Sequence, residues 1–110
     1  MVMVTKIEIQ AKEWFDRVNC NSYFAGTIKV RPQYGYDKEY LIPFQYGYDE
    51  QYEEQAKKLL TEFNVISCEY GQNLRRYCLD NNIEYGAFIK TKCKKRELKE
   101  IENSYNSNLI

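Results

Sequence analysis

The sequence predicts an α+β domain: an antiparallel sheet meander in the order β-β-β-α-β-α-β-α, with the helices packed on one face. Three observations lead there. Several stretches alternate apolar and polar residues with the period of two that belongs to a half-buried strand. One stretch, Tyr52, Ala56, Leu59, Leu60 and Phe63, repeats at helical spacing. The chain has 110 residues, 44% hydrophobic and 15% aromatic, one domain's worth and enough to bury a core without staples. A single α+β domain is expected over residues 1–102. The polar tail over 103–110 has little to bury and should fray.

The first strand is read from Ile7, Ile9 and Ala11 alternating with Lys6, Glu8, Gln10 and Lys12, leading into Trp14-Phe15 as core. The polar, Asn-rich stretch from Asp16 to Ser22 makes a turn, and Phe24, Ile28 and Val30 alternate in a second strand paired as a hairpin. Arg31-Pro32 ends it, because proline has no N–H for a ladder. Tyr40, Ile42, Phe44 and Tyr46 alternate as a third strand, in which Pro43 signals an edge or a bulge.

Asp49 is the expected N-cap of the helix that follows, with Glu50, Glu53 and Glu54 where its dipole favours negative charge. Asn64 suits the left-handed residue that ends it. A short strand is expected over 65–69, a modest helix over 72–82, a strand over 83–93 and a charged helix from Lys94.

Net charge is zero, so no bulk field recruits nucleic acid or an anionic membrane. The balance is uneven: residues 1–70 hold eight Lys/Arg against eleven Asp/Glu, and residues 71–110 hold eight against five. No apolar run approaches a membrane span, and the first residues lack the features of a signal peptide, so a cytoplasmic address and no membrane partner are expected. Cys20, Cys68, Cys78 and Cys93 then read as reduced thiols without metal-ligand spacing.

With no histidine, the usual general base and the partner of most Ser or Cys nucleophiles are missing. Glu8, Gln10 and Lys12 imitate part of a metal-nuclease pattern, yet they share the polar face of an amphipathic strand. No phosphate-cradling glycine motif is present. The expectation is a non-enzymatic protein with no catalytic residues, no cofactor and no metal.

One phrase occurs twice: Gln33-Tyr34-Gly35-Tyr36-Asp37 and Gln45-Tyr46-Gly47-Tyr48-Asp49. Tyrosine combines rigid apolar area with a polar tip, so Tyr34, Tyr36, Tyr46 and Tyr48 are the candidate partner-binding residues. The plainer reading is two copies of a convenient turn. Tyr40 and Tyr52 fit core positions. A surface of this kind also suits self-association into a homodimer, or a pocket for a nucleotide-like signal. The alternative site is basic: Arg75, Arg76, Lys92, Lys94, Lys95 and Arg96, near Phe88 and Lys90, as single-strand binders combine charge with aromatics.

Three stretches together resemble a group of small bacteriophage-encoded proteins. Trp14-Phe15-Asp16-Arg17-Val18-Asn19-Cys20-Asn21-Ser22-Tyr23 is similar to a W-F-x-x-x-N-G-N-[ST]-Y hairpin. Phe44-Gln45-Tyr46-Gly47-Tyr48-Asp49-Glu50-Gln51-Tyr52 resembles an aromatic Y-G-Y turn before a helix. Thr91-Lys92-Cys93-Lys94-Lys95-Arg96-Glu97-Leu98 resembles a closing R-K-K-[DE]-L segment. Cys20 and Asp49 stand where that pattern has glycine, which would deprive the first turn of a positive-φ residue. The resemblance implies a phage or mobile-element origin and brings no activity with it. By analogy, small neutral phage proteins that are not enzymes bind and block host proteins, as anti-CRISPR and other counter-defence inhibitors do. The function expected is inhibition of a host protein, a CRISPR effector or other defence component, with nucleic-acid binding through the basic 75–99 region as the alternative.

Overall fold

The structure is a computed structural model and describes residues 3–68 and 71–107. Its elements are β1 (Val4–Asp16), β2 (Asn21–Pro32), β3 (Lys38–Tyr46), α1 (Gln51–Glu62), α2 (Leu74–Asp80), β4 (Glu84–Lys90) and α3 (Lys95–Ser107). The fold is α+β, and the four strands lie in the order β3-β2-β1-β4. Hairpin pairing makes β3, β2 and β1 antiparallel, whereas β4 lies parallel to β1. The sheet is therefore mixed, which corrects the expected all-antiparallel meander. Parallel neighbours need a crossover, and α1 and α2 supply it.

The expected strand at 65–69 does not form over its described residues 65–68; Glu69 lies outside the described residues. The N–H groups of Val65 and Ile66 return to the Leu60 carbonyl at 2.9 and 3.4 Å, and Ser67 N–H donates to the Tyr77 hydroxyl at 3.2 Å. Those three donors close the end of α1 and dock α2 and are not available for a ladder. Asn64 takes φ 58° just past the Phe63 cap, the left-handed ending expected of it.

Helices cover both faces, a second correction. On the first face Ile7, Ile9, Phe24, Ile28, Val30 and Ile42 are buried beneath Tyr52, Ala56, Leu60, Leu74 and Cys78 of α1 and α2. On the second face Ala25 is buried beneath Leu98 and Cys93, with Trp14, Tyr23, Phe44 and Ile101 around them. Leu98, Ile101 and Tyr105 make the narrow apolar stripe that lays α3 there. The Tyr105 hydroxyl donates to the Glu39 carbonyl, and α3 runs to Ser107; of the tail expected to fray over 103–110, residues 108–110 lie outside the described residues.

A bulge in β3 decides which aromatics face α3. Gln45 pairs with Phe24 and Ile42 with Gly26, so Pro43 and Phe44 together oppose the single residue Ala25. One inserted residue reverses the side of everything after it. Tyr40 and Ile42 point to the first face, as expected of them, while Phe44 and Tyr46 turn to the second.

Candidate functional site

The bulge gathers five aromatic rings at the end of the sheet where β1 turns into β2. Trp14 stacks on Tyr23 with centroids 5.3 Å apart, and Tyr23 stacks on Phe44 at 5.3 Å. Tyr46 meets Tyr23 edge-on at 5.9 Å and Tyr48 edge-on at 5.2 Å. The Tyr46 and Tyr48 hydroxyls share a hydrogen bond at 3.0 Å. That bond, more than the partial burial around it, raises the Tyr48 pKa above its ordinary value, and Tyr46 close by adds to the rise. The strip is neither core nor free surface: Tyr46 is 54% and Tyr48 39% exposed, and Trp14, Tyr23 and Phe44 are half-buried.

Local chemistry fixes each member. Gly47 N–H donates to the Ser22 carbonyl at 3.0 Å and Tyr48 N–H to the Gln51 side chain at 2.6 Å. Asp49 takes φ 50° and is not the helix cap; Glu50 stands at that position and makes no side-chain cap bond. At the turn after β1, the Asp16 carboxylate accepts from Val18 and Asn19 N–H at 3.0 and 3.4 Å and from the Asn19 amide at 2.9 Å. The side-chain bond from Asn19 holds the Asp16 carboxyl below its usual range. Cys20 has φ 55°, so the turn keeps a positive-φ residue without glycine. Phe15 is exposed beside this turn, contrary to its expected core place, and Val18 at the tip is 91% exposed.

Basic residues border the strip on one side. Cys93 N–H donates to the Glu13 carbonyl at 3.0 Å, which ties the segment before α3 to β1. Lys95 then extends over the Trp14 ring, 5.5 Å from its centroid. Lys94 N–H donates to the Glu97 carboxylate at 2.6 Å, half of a capping box, and this bond lowers the Glu97 pKa. Lys92 (φ 60°), Lys94 and Arg96, exposed like Lys95, are its near neighbours along the chain.

The other candidates do not join them. Tyr34 and Tyr36 lie in the connection from β2 to β3, at the opposite end of β3 from Tyr46 and Tyr48. Eight residues of β3, Lys38 to Gln45, separate the pairs, on the order of 25 Å at strand rise. They are 82% and 93% exposed, too open to wall a nucleotide pocket. Arg75 and Arg76 stand on α2, over the first face, and are engaged. Arg75 pairs with Glu53 at 3.2 Å and lies 5.2 Å from the centre of the Tyr85 ring. Arg76 pairs with Asp80 at 3.1 Å. Tyr85 donates to Glu53 at 2.5 Å; burial first, then this bond, raises its pKa.

Among the described residues no three His, Cys, Asp or Glu side chains are placed to hold a metal ion, and no helix is long and apolar enough to cross a membrane. A groove of about 750 Å³ beside α1 reaches the strip at Tyr46 and is lined by Phe24 and Cys68 together with Gln51, Gln55 and Lys58, a mixed apolar and polar wall. Burial, with Cys68 nearby, pushes the Cys78 thiol up to about 12, leaving it inert. Comparison with known proteins finds no matching protein-family model, no matching curated sequence and no matching solved structure.

Sequence reasoning named Tyr46 and Tyr48 and missed Tyr23, Phe44 and Trp14 as their partners. The signal was present in Pro43. A proline inside an alternating edge strand marks the position where the face of the strand can change.

Proposed function

We propose that this chain is a non-enzymatic binding protein that engages a partner protein through the strip Trp14, Tyr23, Phe44, Tyr46 and Tyr48. The observation that carries the reading is the bracing of half-exposed rings by one another, with centroids 5.2 to 5.9 Å apart. Rings held in place before binding lose little freedom on contact, and Trp and Tyr dominate the energetic centres of interfaces. Val18 adds exposed apolar area at the hairpin tip, and Lys92, Lys94, Lys95 and Arg96 favour a partner with acidic groups at its rim. The resemblance to phage proteins makes that partner a host defence component, such as a CRISPR effector, and the outcome inhibition.

The test is capture of host proteins on immobilised wild-type chain, beside a Tyr46→Ala/Tyr48→Ala variant and a Tyr34→Ala/Tyr36→Ala variant. The first variant should lose the captured protein while keeping its circular dichroism, and the second should retain it. Equal capture by a folded Tyr46→Ala/Tyr48→Ala protein would overturn the reading. Unimpaired CRISPR interference in cells expressing the chain would remove that particular target.

Lys95 above Trp14 favours nucleic acid as the second reading, since single-strand binders set cationic groups beside stacking rings. It is confined to Lys92, Lys94, Lys95 and Arg96, because Arg75 and Arg76 stand elsewhere in ion pairs. Binding of a fluorescent single strand that weakens steeply with salt would support it; a flat salt response would not.

A further inference from the structure

The two outer strands of the sheet are treated differently. On β3, Pro43 offers no N–H, the Phe44 N–H donates to the Glu102 carboxylate of α3 at 2.9 Å, and the Tyr105 hydroxyl covers the Glu39 carbonyl. Proline, a bulge and a covering helix are the usual means of blunting an edge. On β4 none of these appears. Among the described residues, β1 is the only segment that hydrogen-bonds the main chain of Glu84 to Ile89. Every second residue of β4 thus turns its N–H and C=O outward, with no partner among the described residues.

The sequence of β4 complements itself. Glu84-Tyr85-Gly86-Ala87-Phe88-Ile89-Lys90, laid antiparallel on a second copy about Ala87, sets Glu84 against Lys90, Tyr85 against Ile89 and Gly86 against Phe88. Opposite charges meet at both ends, and an aromatic faces a β-branched residue on the buried side. On the other side Phe88, 59% exposed, already leans over its own Gly86, where a Cβ would lie 3.0 Å from the ring. Across the two-fold each Phe88 covers the partner's glycine, a pairing that offsets the weakness of glycine at an edge.

We infer that β4 pairs with β4 of a second copy of this chain, antiparallel and centred on Ala87, joining two four-stranded sheets into one of eight. The contact uses no residue of the aromatic strip, so each dimer carries two strips. A contact of one short strand pair is at the small end of interface sizes, so the dimer should be in exchange with monomer.

Sedimentation velocity over a concentration series tests this. The wild-type mass should rise from 13.2 kDa toward twice that value with concentration. Glu84→Lys and Lys90→Glu each place like charges at both ends, and each should weaken self-association by about tenfold. Mixed together, the two variants should form a heterodimer, because every end contact is then complementary again. Amide hydrogen exchange reads the same contact without a substitution: outward N–H groups of β4 should gain protection as concentration rises. A wild-type monomer up to about 1 mM, a dimer indifferent to both reversals, or β4 exchange independent of concentration would overturn the inference.

Discussion

Residues 33–37 and 45–49 spell the same five letters, Gln-Tyr-Gly-Tyr-Asp, at the two ends of β3. In the first copy Gly35 takes φ 99° with no atom within 4 Å of a would-be Cβ, and both tyrosines stand in solvent. In the second, a Cβ on Gly47 would run into the Phe24 ring, and both tyrosines lean on rings already fixed by the sheet. Asp37 pairs with Arg31 at 3.3 Å, whereas Asp49 bends the chain into α1. The phrase alone carries no structure. Phe24, the Pro43–Phe44 bulge and Tyr23 give the second copy its shape, and among the described residues nothing comparable stands beside the first.

Exchanging the two glycines for alanine tests that contrast most sharply. Gly47→Ala must displace a buried ring and should cost about 1–3 kcal/mol, the range for overpacking a core. Gly35→Ala meets only the backbone penalty of a positive φ, about 1 kcal/mol. Urea unfolding of both variants measures the difference, and equal losses would mean that the two loops are held alike.

Acid should distinguish the ends next. Asp16 and Glu97, both at the hairpin end, have carboxyls held below their ordinary values by Asn19 and by the Lys94 N–H respectively. A depressed folded pKa contributes stability that is complete above the unfolded value, near 4, and is lost as pH falls through the folded one. Thermal midpoints should therefore drop between about pH 5 and pH 2, and the drop should be shallower in Asp16→Asn. An unchanged acid limb in that variant would show that the turn does not depend on the carboxylate.

The smallest effect is expected at the first copy. Tyr34→Ala/Tyr36→Ala should move unfolding stability by no more than about 0.5 kcal/mol, as for surface changes elsewhere. A larger loss would reveal contacts that the structure does not give these rings.

The local elements were largely legible in the sequence. Ile7, Ile9 and Ala11 announce β1 by alternation, the stripe from Tyr52 to Leu60 announces α1, and Asn64 ends it as its chemistry suggests. The long-range choices were not. That β4 joins β1 in parallel depends on where a crossover lands, and a helix of seven residues gives little hint of it. That α3 takes the opposite face depends on Leu98 and Ile101 finding Ala25, a residue whose side becomes meaningful only once the hairpin register is known. Likewise Phe44 and Tyr46 keep period two with Ile42 on paper, and the inserted residue between them reverses their side.

The hydrogen bond from Phe44 to Glu102 has one more consequence. It occupies an outward N–H of β3, whereas among the described residues the outer edge of β4 meets no other strand, so under the pairing inferred above the monomer would act like a reagent with a single functional group. Such a unit can couple once and then terminates the chain, so strand addition yields a closed pair and cannot run on into a filament.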